Sequence, residues 1–331
     1  MKPAKTTVRS VLVLLGALLA LVLTGCTSPS TDAVVAPVTG ANGEKLNLTA
    51  QQNRIVPAKD DQIAALVPPE IRARGSLIIG QGSGAGNPPF AFPSSNDDKE
   101  WIGDEVDIAT LVAGVLGLKP EFKRSSWEGL FLGIDSGATD VGFSNITVTE
   151  ARKDIYDFAS YRSDILSLIT NKDSTLKFDS YEDLSGKRIA VGSGTNQEKI
   201  LVSWSDKLVA EGKPKIDIVN FQETSGVWTA LSADRFDAYL GPNPINAFHD
   251  AQVKGTPQET KLIGEYSGAG NGLTGLIAAA TKKGNPLITA VHAALDKLTH
   301  SEDYKKVLER WNLSREAVTE SQLNPPGLPR S

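Results

Sequence analysis

An α/β fold with mostly parallel sheets is predicted by the way short apolar strands and amphipathic helices alternate down this chain. Two stretches carry that expectation most directly. Leu77-Ile-Ile-Gly80 is the unbroken apolar run of a buried strand, and Asp104 to Gly117 carries a helical repeat. In the helix, Ile108, Leu111, Val112, Val115 and Leu116 share one face. Asp104, Glu105 and Asp107 occupy the first turn, where the helix dipole favours negative charge, and Gly117 supplies the stop.

The alternation continues in both directions along the chain. Glu121-Phe-Lys123 reads as a short strand, and Ser125-Ser-Trp-Glu128 fits a capping box opening a helix through Leu130, Phe131 and Ile134 to Gly137. Val141 to Phe143 is the next strand. Further strands fall near Arg188–Val191, Ile216–Phe221, Phe236–Leu240 and Leu262–Ile263, with helical segments between them. Asn285-Pro286 caps a helix bearing Leu287, Val291, Leu295 and Leu298, and Ser301 starts another with Tyr304, Val307, Leu308 and Trp311. With 331 residues and 40% hydrophobic content, the chain has enough apolar side chains for a sizeable core.

The first 57 residues read differently. Lys2, Lys5 and Arg9 precede the apolar run Val11 to Leu23, and Leu23-Thr-Gly-Cys26 closes it, the layout of a signal peptide over residues 1–25. The run is short of the about 20 apolar residues that a membrane-spanning helix needs. Cys26 is the only cysteine, so stability cannot come from an intrachain disulfide. The Leu-x-Gly-Cys ending resembles a bacterial lipobox, which implies cleavage before Cys26 and lipidation of its thiol. Residues 26–57 are expected to form a flexible tether, on the Ser, Thr, Pro, Gly and Asn that recur to about Leu48, with globular structure beginning near Ala58. The expected location is the outer face of the cytoplasmic membrane, in a periplasm or at the cell surface. A formal charge of −5 with both signs interspersed offers no basic stripe for a phosphate backbone, so a nucleic-acid partner is not expected.

The chemistry concentrates in Asp140-Val-Gly-Phe-Ser-Asn-Ile-Thr-Val-Thr-Glu-Ala-Arg152. An apolar strand ends there on hydroxyl and amide residues and is followed by an arginine. Such groups suit a carboxylate, because a planar guanidinium grips both oxygens while amides and hydroxyls take the remaining lone pairs. An ordinary ion pair of Arg152 with Asp154 or Asp157 is the plainer alternative. Gly194-Thr-Asn196 opens a second helix whose free N–H groups favour an anion, although the same residues also make a simple helix cap.

Other motifs are set aside. Gly270-Asn-Gly-Leu-Thr-Gly275 matches a dinucleotide pattern but runs into a strand where a helix is required. Gly80-Gln-Gly-Ser-Gly-Ala-Gly86 is followed by Asn-Pro-Pro and reads as a flexible cleft loop. His249, His292 and His300 lack metal-ligand spacing, so neither metal nor cofactor is expected.

Taken in order, Pro88-Pro-Phe-Ala-Phe92, Gly103-Asp-Glu-Val-Asp107, Trp127-Glu-Gly-Leu130, Ser144 to Arg152, Asp157-Phe-Ala-Ser160, Gly192-Ser-Gly-Thr195 and Asp237-Ala238 resemble the polar-amino-acid substrate-binding proteins of ABC importers, from about residue 74 to 312. The resemblance implies a two-lobed, type 2 periplasmic-binding-protein fold. Lobe 1 would span 58–168 and 275–331 and lobe 2 169–274, with crossovers near Leu166–Lys172 and Leu273–Ala280. It implies that Thr147 and Arg152 hold the ligand's α-carboxylate beside Asn145, with Gly194, Thr195 and Asn196 approaching from lobe 2. It also implies that Trp127 packs on the ligand, with Phe90 in the same lining and Asn87 standing where some relatives have a second aromatic.

One departure from the family pattern matters. The acid that pairs with the ligand's ammonium is replaced by Pro242, leaving Asn243 as a displaced amide, and a buried ammonium without a carboxylate is costly. The expected protein is a lipid-anchored, non-enzymatic receptor for a small carboxylate, an amino acid or a near relative of one. It would be a monomer that hands its ligand to ABC permease subunits by hinge closure. A sensor signalling to a membrane partner is the alternative, and a dehydratase-like enzyme on the same scaffold is a weaker one, since Pro242 removes an acid.

Overall fold

Two five-stranded sheets, each flanked by helices, carry the residues described in this computed structural model, 45–270 and 272–330. The expected signal peptide and Cys26 lie outside them. The chain first lays down helices α1 (Asp61–Ala64) and α2 (Pro69–Arg74), then β1 (Ser76–Gln81) and the small pair β2 (Phe92–Pro93) and β3 (Trp101–Ile102). Helix α3 (Asp104–Leu116), β4 (Lys119–Arg124), α4 (Trp127–Ser136), β5 (Val141–Gly142) and β6 (Tyr156–Ser163) follow. The second set is β7 (Ile165–Asn171), β8 (Arg188–Gly192), α5 (Asn196–Ala210), β9 (Asp217–Phe221), α6 (Ser225–Ser232), β10 (Ala238–Pro242), α7 (Asn243–Val253) and β11 (Thr260–Ser267). Strand β12 (Leu276–Lys282) and helices α8 (Leu287–Thr299) and α9 (Glu302–Arg310) complete the order.

Sheet order is β4-β1-β5-β12-β6 in the first lobe and β11-β7-β10-β8-β9 in the second. The chain crosses from one to the other at Asp164, the single residue between β6 and β7, and returns between Ser267 and Leu276. Residues 165–168 therefore belong to the second sheet, where β7 pairs antiparallel with both β10 and β11. The stretch expected as the first crossover, Leu166–Lys172, is almost wholly strand β7, because the buried run from Leu166 to Thr170 finds its backbone partners and its packing inside that sheet.

Local signals explain most elements. Gly117 and Gly137 end α3 and α4 in the left-handed region, the conformation that glycine adopts without a Cβ penalty. The capping box read at Ser125 is shifted by one. Ser126 is the N-cap of α4 and accepts from Gly129 N, so Glu128 does not close the reciprocal bond. Thr195 caps α5 through Glu198 N, and Ser301 caps α9 through Tyr304 N.

Two further expectations change. Residues 45–57, read as tether, are bound to the first lobe: Leu46, Leu48 and Ile55 pack on its core, and the buried Gln52 donates to the carbonyls of Asn47 and Thr49. Arg54 Nε reaches Asp107 Oδ1 at 3.2 Å. The glycine-rich 82–86 loop is tied down on one side: a Cβ at Gly82 would stand 3.2 Å from the Trp127 backbone and 3.1 Å from Leu130 Cβ, so glycine permits the loop to rest on α4.

Candidate functional site

The carboxyl ends of strands from both sheets converge on one cavity of about 100 Å³. The first lobe contributes Gly82, Ser83, Asn87, Phe90, Trp127, Ser144 and Asn145. The second contributes Thr195, Asn196 and Gln197 from the start of α5, Phe221 to Thr224 after β9, and Tyr239 and Pro242 on β10. Of the expected site residues, Asn87, Phe90, Trp127, Asn145, Thr195 and Asn196 meet at this cavity. Thr147, Arg152, Gly194 and Asn243 are not among its lining.

Physical reasons separate those four. Thr147 is 1% exposed, and its hydroxyl donates to Asp164 Oδ2 at 2.7 Å and stands 3.0 Å from Asn196 Oδ1. Asn196 Nδ2 reaches the same Asp164 oxygen at 3.3 Å and donates to Gly268 O at 3.0 Å. The receptacle expected for a ligand carboxylate thus holds the protein's own carboxylate, Asp164, at the point where the chain crosses between sheets. Arg152 spends its donors on backbone: Nη1 to Thr147 O at 2.9 Å in one lobe, Nη2 to Gly194 O at 3.4 Å in the other.

The Arg152 guanidinium lies 5.2 Å from the centroid of Trp127 and 5.4 Å from that of Phe131. Loss of water around it pushes its pKa down to about 10, with the Asp164 charge opposing, so it stays a cation at neutral pH. Asp164 is itself raised by burial, against the hydrogen bond from Thr147 and the charge of Arg162. The ion pair of Arg152 with Asp154 or Asp157 does not form, because Asp154 pairs with Arg330 and Asp157 with Lys283.

Gly194 N donates to Glu198 Oε2 at 2.7 Å, which occupies the amide expected to meet an anion, while its carbonyl also accepts from Trp127 Nε1 at 3.3 Å. Asn243 begins α7, and the turn at Pro242 carries it to a different cavity, shared with Leu313 and Arg315.

Behind the first-lobe wall lies a buried ionic cluster. Arg162 is fully buried, with Nε 3.2 Å from Asp104 Oδ2, Nη2 2.9 Å from Glu105 Oε1, and Nη1 on Glu316 Oε2. It also donates to Asn145 Oδ1 at 2.7 Å and stacks 4.9 Å from the centroid of Phe90, so it fixes two residues of the cavity. Asn145 sits at φ 50°, a conformation that asparagine tolerates better than most residues. Asp104 and Glu105, read as dipole acids at a helix start, are instead completely buried counter-ions of Arg162.

The sequence reading missed Gln197, Glu223, Tyr239 and Asp164. Glu223 stands two residues past the end of β9, and position after a parallel strand is the signal that points to it.

Among the described residues, no group of three or more His, Cys, Asp or Glu is placed to hold a metal, and no helix is long and apolar enough to cross a membrane.

A cavity between two α/β lobes, with the first turn of a helix at its edge, defines a binding protein of the type 2 periplasmic fold. Residues 79–314 match bacterial extracellular solute-binding proteins, family 3, and the chain belongs to that family. It is 27% identical to the arginine-binding protein ArgT of Corynebacterium glutamicum, over 82% of this chain and 85% of that one. It is 28% identical to the L-cystine-binding protein TcyJ of Escherichia coli K12, over 73% and 84% of the two chains. Among solved structures, an ancestral arginine-binding protein bound to arginine aligns with a TM-score of 0.61 at 26% identity, covering 72% of this chain and 98% of that one. An ancestral amino acid-binding protein, a precursor of cyclohexadienyl dehydratase, aligns with a TM-score of 0.62 at 25% identity, covering 73% and 97%.

Proposed function

We propose that this chain is a lipid-anchored substrate-binding protein of an ABC importer that captures an amino acid or an amino-acid-like carboxylate between its lobes. The observation that carries the reading is the shared cavity. It draws on both sheets, which are joined only by the passages at Asp164 and 268–275, so a solute touching both walls favours the closed arrangement. Relatives that bind arginine and cystine support an amino-acid ligand. Because Asp164 occupies the Thr147 receptacle, the ligand's carboxylate is assigned to the first turn of α5. There the N–H groups of Asn196 and Gln197 have no intrahelical acceptor, and the dipole of a 15-residue helix adds to them. Arg152 then braces the two lobes instead of clamping the solute.

A panel of amino acids in thermal unfolding tests this. At a concentration a hundred times Kd, the right ligand should add about 2.7 kcal/mol to stability and be recovered chemically unchanged. A panel in which nothing stabilises the protein, or in which the solute is converted, refutes it. The anchor is tested separately. Labelled fatty acid should enter the protein in a bacterial host and fail to enter Cys26→Ala, which should appear in the soluble fraction. Equal labelling of both would remove Cys26 from the anchor.

A further inference from the structure

We propose that Glu223 receives a positively charged group of the ligand, so that the pocket takes a cationic solute; this deepens, and rests on, the reading of the interlobe cavity as a solute site.

The charges around the cavity point the same way. Among its described lining residues Glu223 is the one charged side chain, and neither lysine nor arginine contributes. The nearby cations are already matched. Arg152 donates to the carbonyls of Thr147 and Gly194, and Arg162 is met by Asp104, Glu105 and Glu316. Glu223 is exposed at the edge of the cavity, and among the described residues its side chain has no ion pair and no hydrogen bond. No protein cation competes for this carboxylate, so a cationic group entering the cleft can form a charge-assisted bond with it.

Its position suits that role. Glu223 leaves the end of β9 in the second lobe and lays its carboxylate on the glycine loop of the first, where a Cβ built at Gly84 would collide with the carboxylate oxygens. Gly84 is at φ +52°, and without a Cβ it leaves room for the Glu223 carboxylate to rest on the loop. Glu223 therefore reaches across the mouth of the cleft, in a cavity that Trp127 and Phe221 also line, and aromatic rings suit a cation or a planar guanidinium.

A second, independent observation concerns hydrogen-bonding capacity. Gln197 is 5% exposed, and its Oε1 is buried without a donor among the described residues; Asn87 Oδ1 is in the same state. Both residues line the cavity, one from each lobe. Two acceptors without donors and one unpaired carboxylate call for a ligand bearing several N–H groups, which an ammonium or guanidinium supplies. Pro242 stands where the resemblance expected an acid, and Glu223 brings a carboxylate to the same cavity from the loop after β9, two strands away in the sheet.

Isothermal titration with three probes tests the proposal: L-arginine; L-citrulline, which keeps its shape but replaces the guanidinium by a neutral urea; and agmatine, which lacks the carboxylate. We expect arginine to bind the unsubstituted protein at least roughly tenfold more tightly than citrulline, as a lost charged hydrogen bond implies. In Glu223→Gln the preference should shrink to about threefold or less, through weaker arginine binding with citrulline binding unchanged.

The proposal is overturned if the unsubstituted protein binds arginine and citrulline equally, if the preference survives Glu223→Gln, or if neither arginine nor agmatine binds. Agmatine binding as tightly as arginine, with both weakened in Glu223→Gln, upholds the cation site and refutes the carboxylate part of the proposed function.

Discussion

Replacing Arg162 by methionine should cost about 3–5 kcal/mol of folding stability, the loss expected when one member of a buried ionic group is removed and its partners remain. The side chain is wholly buried, and three carboxylates, Asp104, Glu105 and Glu316, converge on its guanidinium. Methionine fills much of the volume but leaves the acids without their common cation. Each must then give up its proton less readily or draw in water, and both responses loosen the tie between the first turn of α3 and β6. The damage should reach the cavity, because Arg162 also holds Asn145 Oδ1 at 2.7 Å and stacks on Phe90. Urea unfolding of the variant measures the first effect and titration with an amino-acid ligand the second. A loss below about 1 kcal/mol, the range of a surface pair, would mean that the acids do not depend on Arg162.

The alternation of strands and helices, the caps at Gly117, Gly137 and Ser301, and six of the twenty residues lining the cavity were legible because each depends on residues close together in the chain. What escaped depends on distance. Glu316 meets Arg162 across 154 positions, and nothing near either residue announces the other. Asp104 and Glu105 obey the rule for acids at a helix start so well that their burial is invisible locally. Asp164 is one polar residue between two strands, and only the crossing of the chain at that point turns it into the occupant of the Thr147 and Asn196 receptacle. Leu46, Leu48 and Ile55 sit in a stretch whose polar composition reads as tether, yet three well-placed apolar side chains suffice to dock it. The hydrogen bonds of Arg152 escaped for the same reason: its acceptors are backbone carbonyls in two lobes, and carbonyls carry no sequence signal.

The buried acids also predict how stability follows pH, and Glu316→Gln isolates the effect. Burial drives the Glu316 pKa from 4.5 up to about 8, against the opposing charge of Arg162 and with the help of Asp164. Asp104 moves from 3.8 up to about 7, again by burial first, with Arg162 opposing and Glu105 and Asp107 assisting. In both cases the folded state keeps a proton that the unfolded chain releases. The stability this confers is therefore complete below the unfolded pKa, near pH 4, and is lost as pH rises through the folded values.

Glutamine has the shape of the protonated acid and cannot ionise. At pH 4 the variant and the unsubstituted protein should have closely similar stability. Between pH 5 and 8 the unsubstituted protein should fall behind, by an amount on the order of a few kcal/mol at the upper end, because a tenfold difference in proton affinity between the folded and unfolded chain is worth about 1.4 kcal/mol. Surface acids whose pKa is lowered by pairing, such as Glu150 and Asp154, contribute equally to both proteins and cancel in the difference. Chemical unfolding at pH 4, 6 and 8 reads the difference directly. A gap that stays constant across the range would show that Glu316 is ionised in the folded protein throughout, and that Arg162 outweighs the cost of burying both charges.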